Sequence, residues 1–323
     1  MFFTLLAIAC SIILLYLFFI TERVPGINIE GANIIVTGAS EGLGLQICID
    51  LVKKGANVVL IARKESQLQS SVKLLEELKA FKHQIVKYVI ADVTDFPCIR
   101  DGIEKAVEVL GGRIEVLINN AGITRPQRFD DLELVWFERV MKVNYFGNVH
   151  AIKAVLPFMK QQRRGRIIGI SSLVGLASVM GYSCYSPTKS AIRSLYEALH
   201  QEYYAYNISF SVAFPASIRT ASYYEEQTIK PEEVKLFEKC DPVLSPETVS
   251  EPIVRSLKNW RFFISPSGLN SDLVCAACAG LSPASFSEAI VQVFGAGLIR
   301  LFGLFLFNDR IRRISLNIRS KRP

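Results

Sequence analysis

Asn33-Ile34-Ile35-Val36-Thr37-Gly38-Ala39-Ser40-Glu41-Gly42-Leu43-Gly44 decides the fold. Its first five residues are a continuous run of strand length, and a helical pattern over 45–54 follows the last glycine. Strand, glycine-rich turn and helix in immediate succession predict a nucleotide-binding unit. Gly38 lets the chain turn tightly, Gly42 lets the backbone approach a pyrophosphate, and Gly44 allows the helix to pack closely on the strand. The helix then offers free amides and the positive end of its dipole to the anion.

Working outward, Asn57–Ala62 reads as a second strand, apolar enough to be buried on both faces. A carboxylate at its end would bind the ribose hydroxyls of NAD, but Arg63 and Lys64 stand there instead. A cation pair suits the 2′-phosphate of NADP, and Ser40 can add a hydroxyl, so NADPH/NADP+ is the expected cofactor. Two surface charges opening a helix are the alternative. Further strands are expected at 85–90, 114–118, 166–171, 208–214 and 261–265, with helical stretches between them. That alternation predicts an α/β fold, a doubly wound parallel sheet of Rossmann type. The third strand ends at Asp92. The fourth is closed by Asn119-Asn120-Ala121-Gly122, whose small and amide side chains suit the floor of a cofactor crevice. Residues 132–160 form one long amphipathic stretch that holds Asn144.

Tyr185-Ser186-Pro187-Thr188-Lys189 carries the chemistry. Tyrosine and lysine four residues apart share one helix face, and Pro187 fits only in a helix's first turn. A phenol one turn from an ammonium is expected to have its pKa lowered and to act as a proton donor near neutral pH. A Tyr-x-x-x-Lys pair alone is more often a solvated helix face. Ser172, thirteen residues before Tyr185, is what adds weight.

Half of the 323 residues are hydrophobic, enough for one core of about 250 residues plus extra apolar segments. Residues 2–20 carry no charge and predict a membrane anchor over 1–24; no cationic segment precedes them and no small-x-small site follows, against a cleaved leader. Residues 269–307 are apolar again, with Pro283 interrupting and Gln292 and Arg300 inside. A membrane-associated hairpin or interfacial helix is expected there, with a dimer-forming helical pair as the alternative. Much of the +7 net charge sits in a basic tail at 308–323, with Arg310, Arg312, Arg313, Arg319, Lys321 and Arg322. Next to an apolar run it points to a membrane surface on its cytosolic side. The rest of the chain is nearly balanced, against a nucleic-acid partner. Seven scattered cysteines imply a reduced compartment; Cys275 and Cys278 have metal-pair spacing, but no second pair or nearby histidine accompanies them, so no metal is expected.

Taken together, Gly38, Gly42, Gly44, Asp92, the Asn119–Gly122 run, Asn144, Ser172, Tyr185 and Lys189 resemble the short-chain dehydrogenase/reductase family over about residues 30–265. The resemblance implies that Tyr185 protonates a developing alkoxide and that Lys189 assists it and holds the nicotinamide ribose. Ser172 would hydrogen-bond the substrate carbonyl, and Asn144 would hold a water leading to solvent. It implies cofactor contacts from Gly38, Ser40, Glu41, Gly42, Leu43, Gly44, Arg63, Lys64, Asp92, Asn120, Ala121, Gly122, Tyr185, Lys189, Pro215 and Thr220. A Pro-Gly pair usual in the family is Pro215-Ala216 here, which puts the shape of that loop in question. The N-terminal anchor, Arg163-Arg164-Gly165-Arg166-Ile167-Ile168, Thr228-Ile229-Lys230-Pro231-Glu232-Glu233 and the apolar, basic-tailed C-terminus are most similar to the branch reducing long-chain 3-keto sphingoid bases. That implies a long-chain lipid substrate, the endoplasmic reticulum membrane with the catalytic domain facing the cytosol, and room for a homo-oligomer. A substrate lid is expected near 220–240, where Tyr223 and Tyr224 would line an acyl path and Glu225 or Glu226 would meet an ammonium group. Reductases of 3-ketoacyl-CoA, steroids or retinoids, and a non-catalytic NADPH-binding membrane scaffold, are the competing expectations.

Overall fold

The computed structural model describes residues 2–20, 24–239 and 241–321. Seven parallel strands form one sheet: β1 (Asn33–Thr37), β2 (Asn57–Ala62), β3 (Val86–Ile90), β4 (Val116–Asn119), β5 (Gly165–Ile170), β6 (Ile208–Ala213) and β7 (Phe263–Ile264). Their spatial order is β3-β2-β1-β4-β5-β6-β7. The chain moves outward from β1 to β3, returns to the middle, and moves outward the other way. The reversal opens a crevice beyond the carboxyl ends of β1 and β4.

Helices cover both faces: α2 (Gly42–Lys53), α3 (Glu65–Glu77), α4 (Phe96–Val109), α5 (Leu134–Met141), α6 (Gly147–Gln162), α7 (Ser186–Tyr203) and α10 (Pro246–Arg255). The strands are apolar throughout because both faces are buried, and their side chains feed two core clusters. One gathers Ile35, Val59, Leu117 and Ile167 with Ile103, Val155 and Tyr196; the other gathers Ile34, Val36, Leu60 and Ile118 with Ile47, Leu51 and Ile253. The alternation of partners along β1 follows from side chains pointing to opposite faces of a strand.

The long amphipathic stretch divides into α5 and α6 around a π-helical turn at Lys142–Phe146, which carries Asn144. Two short helices, α8 (Ala221–Ile229) and α9 (Glu232–Glu238), follow β6 in the region expected to be the lid.

The two ends of the chain depart from expectation. Residues 2–20 form helix α1 (Phe2–Ile20), yet among the described residues no helix is long and apolar enough to cross a membrane. Residues 269–307 do not make a free hairpin. α11 (Leu269–Cys278) is docked on the catalytic domain: Cys275 and Ala279 belong to the main core, and Arg193 donates to the carbonyls of Cys278 and Ala279 at 2.8 and 2.9 Å. The basic segment at 308–323 is not a separate tail either. Through Lys321 it continues α12 (Phe286–Lys321), where Arg310 pairs with Asp241 at 3.1 Å and lies over the Phe237 ring at 4.3 Å. Arg322 and Cys240 lie outside the described residues.

Candidate active site

The glycine turn is locked to β4 by the backbone. Thr37 Oγ1 accepts from the N–H groups of Asn120 at 3.1 Å and Ala121 at 3.3 Å, and Asn120 Nδ2 donates to the Gly38 carbonyl at 2.9 Å. Gly38 and Gly42 have φ of 63° and 57°, which L side chains rarely adopt. A Cβ at Gly44 would come within 2.2 Å of the Gly38 carbonyl oxygen. No side chain caps α2 at Glu41, so the amides of its first turn remain for an anion. The turn therefore fits a dinucleotide pyrophosphate.

At the ends of β2 and β3 the remaining expected contacts gather. Asp92 accepts from the Thr94 N–H and hydroxyl, each at 2.8 Å, and faces Arg63 across 3.9 Å. Both partners are well exposed, so this pair holds Arg63 weakly and leaves it free to turn to a phosphate. Lys64 stands at the start of α3. Ser40 donates to Gln67 Oε1 at 3.3 Å, and Gln67 Nε2 donates to Glu41 at 3.4 Å, so one glutamine braces the loop.

Tyr185 stands immediately before α7, and Pro187 occupies its first turn without the missing N–H costing a bond. Lys189 Nζ donates to the Ile170 carbonyl at 2.8 Å and lies 5.5 Å from the centre of the Tyr185 ring. The Ser172 hydroxyl reaches the Pro215 carbonyl at 3.4 Å and stands near enough to Tyr185 to lower the pKa of its phenol. Asn144 brackets the Ile123 backbone, accepting from its N–H at 2.8 Å and donating to its carbonyl at 2.9 Å, and it donates to Thr188 at 3.0 Å. Gly122 lies between Asn144 and Lys189: a Cβ there would be 3.3 Å from Asn144 Oδ1 and 3.4 Å from Lys189 Nζ. Ser172, Tyr185, Lys189 and Asn144 are thus brought together, although they come from three separate stretches of chain.

The electrostatics differ from expectation in one respect. Burial and the charge of Glu226 push the Tyr185 phenol well above its usual range, and only the Ser172 hydroxyl pulls it down. Burial lowers Lys189 to about 8. The lysine spends its ammonium on a carbonyl rather than on lowering the tyrosine, so the phenol is held protonated, the state a proton donor needs.

Thr220 caps α8, its hydroxyl accepting from the Tyr223 N–H at 3.2 Å, and its methyl group would be 3.2 Å from a Cβ on Gly42. The lid therefore rests on the glycine turn. The Pro215-Ala216 departure is harmless: among the described residues only Arg163 and Asn207 have a positive φ outside glycine, and the Ala216 N–H donates to Ser267 at 2.8 Å. The Leu173 N–H donates to the Pro215 carbonyl at 3.0 Å, which fixes that loop against Ser172.

Sequence reading missed the charged contacts that hold the lid beside this quartet. Tyr182 donates to Glu238 at 2.7 Å, Lys230 pairs with Glu238 at 2.7 Å, and Arg128 forks onto Glu233. The tyrosine three residues before Tyr185 was the available signal. The Lys230–Glu238 spacing runs across Pro231 and matches no helical pattern. A cavity of about 320 Å³ beside the lid is lined by Phe129, Val179, Met180 and Gly181, with the Arg128–Glu233 pair at its rim.

The short chain dehydrogenase family model matches residues 32–229. A 3-dehydrosphinganine reductase of Danio rerio is 34% identical over 95% of this chain and 93% of its own. A 3-ketodihydrosphingosine reductase of Mus musculus is 35% identical over 88% of this chain and 87% of its own. Among solved structures, actinorhodin polyketide ketoreductase with NADPH superposes with a TM-score of 0.64 at 25% identity, over 70% of this chain and 90% of its own. NAD+-bound xylitol dehydrogenase superposes with a TM-score of 0.65 at 22% identity, over 72% and 93%, and shares the fold.

Proposed function

The chain belongs to the short-chain dehydrogenase/reductase family and is an oxidoreductase, and from that premise we propose that it reduces 3-dehydrosphinganine to sphinganine with NADPH. The observation that carries this is similarity to reductases of that name along nearly the whole of both chains, lid and C-terminal helices included.

NADPH supplies the hydride that adds to the ketone carbon. The rest falls to this chain's residues. Ser172 donates to the ketone oxygen, and Tyr185, kept protonated by burial, gives that oxygen its proton as negative charge develops. Lys189, one turn along the same helix, would hold the cofactor's ribose. Asn144, in its π-helical turn, keeps the path by which that proton is replaced. Arg63 and Lys64, where a carboxylate would favour NAD, support the choice of NADPH. The cavity by Phe129, Val179 and Met180 gives the alkyl chain an apolar wall beside the lid.

The enzyme sits at the endoplasmic reticulum membrane with its catalytic domain in the cytosol. Supporting this, α1 exposes Ile12, Leu15, Tyr16 and Phe19, α12 exposes Leu298, Leu301 and Phe305, and the two helices meet where Phe18 and Phe286 pack edge-on at 5.8 Å. Exposed apolar area on this scale needs a cover, and the substrate resides in lipid. Flotation with phosphatidylcholine/phosphatidylserine vesicles tests it: the full chain should float, and loss of residues 1–20 should weaken that.

NADPH oxidation by the detergent-solubilised chain tests the reaction itself. Turnover of 3-dehydrosphinganine, not of a 3-ketoacyl-CoA or a retinoid, is expected. Tyr185→Phe should lower kcat about 10³-fold and leave NADPH affinity unchanged. Turnover of the other carbonyls alone would discard the substrate and keep the chemistry.

A further inference from the structure

α8 turns one face inward. Tyr223, Glu226 and Lys230 recur at helical spacing on that face, whereas Glu225 and Tyr224 are exposed. Lys230 is buried, lies 5.4 Å from the Tyr223 ring and 5.9 Å from the Tyr182 ring, and makes its ion pair with Glu238 at 2.7 Å. Tyr182 in turn packs against Tyr185 with ring centres 5.9 Å apart. Glu226 therefore shares the inward face of α8 with Tyr223 and Lys230, and Lys230 leads through Tyr182 to Tyr185.

Its charge is felt at Tyr182, Tyr185 and Tyr223 alike. The one buried cation nearby is already spent on Glu238, and among the described residues the Glu226 carboxylate has no hydrogen-bond or ion-pair partner. At Glu226 itself two carboxylates share the Lys230 ammonium, while Arg219 acts on Tyr223 and Lys189 lies beside Tyr185. An isolated half-buried carboxylate is costly unless a cation completes it. Burial pushes Glu226 up to about 7, with Lys230 pulling it down and Glu238 pushing it up. The other ionisable groups facing it are Tyr182, Tyr185 and Tyr223.

We propose that Glu226 receives the ammonium of the substrate and so selects a ketone carrying an amine on the adjacent carbon. This rests on the function proposed above, in which the carbonyl lies at Tyr185 and Ser172 and the amine is one carbon away. It also separates the two glutamates that the sequence left equivalent: Glu225 faces solvent and takes no part. The same contact explains how a lid helix senses the substrate. The ammonium neutralises a charge that otherwise repels the phenolate forming on Tyr185.

The test compares two ketones with the full chain in detergent: 3-dehydrosphinganine, and the same long-chain 3-ketone without the amine. Glu226→Gln should raise KM for the amino ketone about 10- to 100-fold, the worth of a charge-assisted hydrogen bond, and for the other by less than about twofold. With the amino ketone, wild-type kcat/KM should fall as pH drops below about 7, where Glu226 gains its proton, and Glu226→Gln should lack that limb. Glu226→Asp should restore part of the discrimination. Equal losses with both ketones, or an unchanged KM for the amino ketone, would overturn the proposal. A wild type that handles both ketones equally well would also overturn it while leaving the ketoreductase standing. Turnover of neither would remove the proposed function and this inference together.

Discussion

In the crevice, Thr37, Gly38, Asn120 and Ala121 are joined by backbone and amide hydrogen bonds of 2.9–3.3 Å, and neutral apolar strands close the core beneath them. Over the crevice, α8 and α9 contribute few core side chains and are fastened by charges: Arg128 to Glu233, Lys230 to Glu238, and Arg310 to Asp241. The first region is set by steric limits on the backbone, which no solution condition alters. The second depends on ion pairs with a buried member, Lys230 in one and Glu233 in another, so its hold changes with any group that adds or removes charge there.

That contrast can be broken at several points. Gly44→Ala should damage the crevice most. Its Cβ meets the Gly38 carbonyl backbone, which cannot step aside, so about 1–3 kcal/mol of overpacking should appear as up to a hundredfold loss of NADPH affinity by fluorescence titration. An unchanged affinity would mean that the turn is softer than its contacts imply. Replacing Arg63 and Lys64 together by alanine should cost about 10- to 30-fold in NADPH affinity and little with NADH, because only the 2′-phosphate contact is lost. Lys230→Met should speed proteolysis within 221–239 about tenfold, while leaving cofactor affinity intact. Parallel loss of cofactor binding would show that lid and crevice are one unit. The smallest effect concerns pH. Lys189 is lowered to about 8, so its ammonium is present below that value and lost above it. kcat/KM should decline above about pH 8, and Lys230→Met should not move that limb.

The crevice was legible because its determinants are local. A strand, a glycine turn and a helix lie within twenty-one residues, and each glycine is required where it stands. The Tyr185–Lys189 pair was legible for the same reason. Arg63 and Asp92 stand at the ends of neighbouring strands, as the strand pattern implied, but their pairing leaves no mark in the sequence. The segment after β7 was not legible. A segment such as Leu273-Val274-Cys275-Ala276-Ala277 has the same composition whether protein or lipid covers it, and only the docking of Arg193 onto the end of α11 decides. Nor did a run of arginines reveal that α12 continues through them and touches the lid. The π-helical turn that carries Asn144 was not legible, because an extra residue in a helical turn leaves no mark on the apolar pattern.

Arg166 lies in β5, yet its side chain clasps the backbone carbonyls of two distant segments: Ser256 and Leu257 at 2.9 and 2.8 Å, and Pro25 at 2.9 Å. Gly26 is pressed against Lys258 by the same clasp, with no room for a side chain. For anyone trimming the protein toward a soluble form, this sets the cutting point. A chain begun at Val24 keeps every partner of that guanidinium, whereas one begun at Ile27 strands a donor of a buried cation.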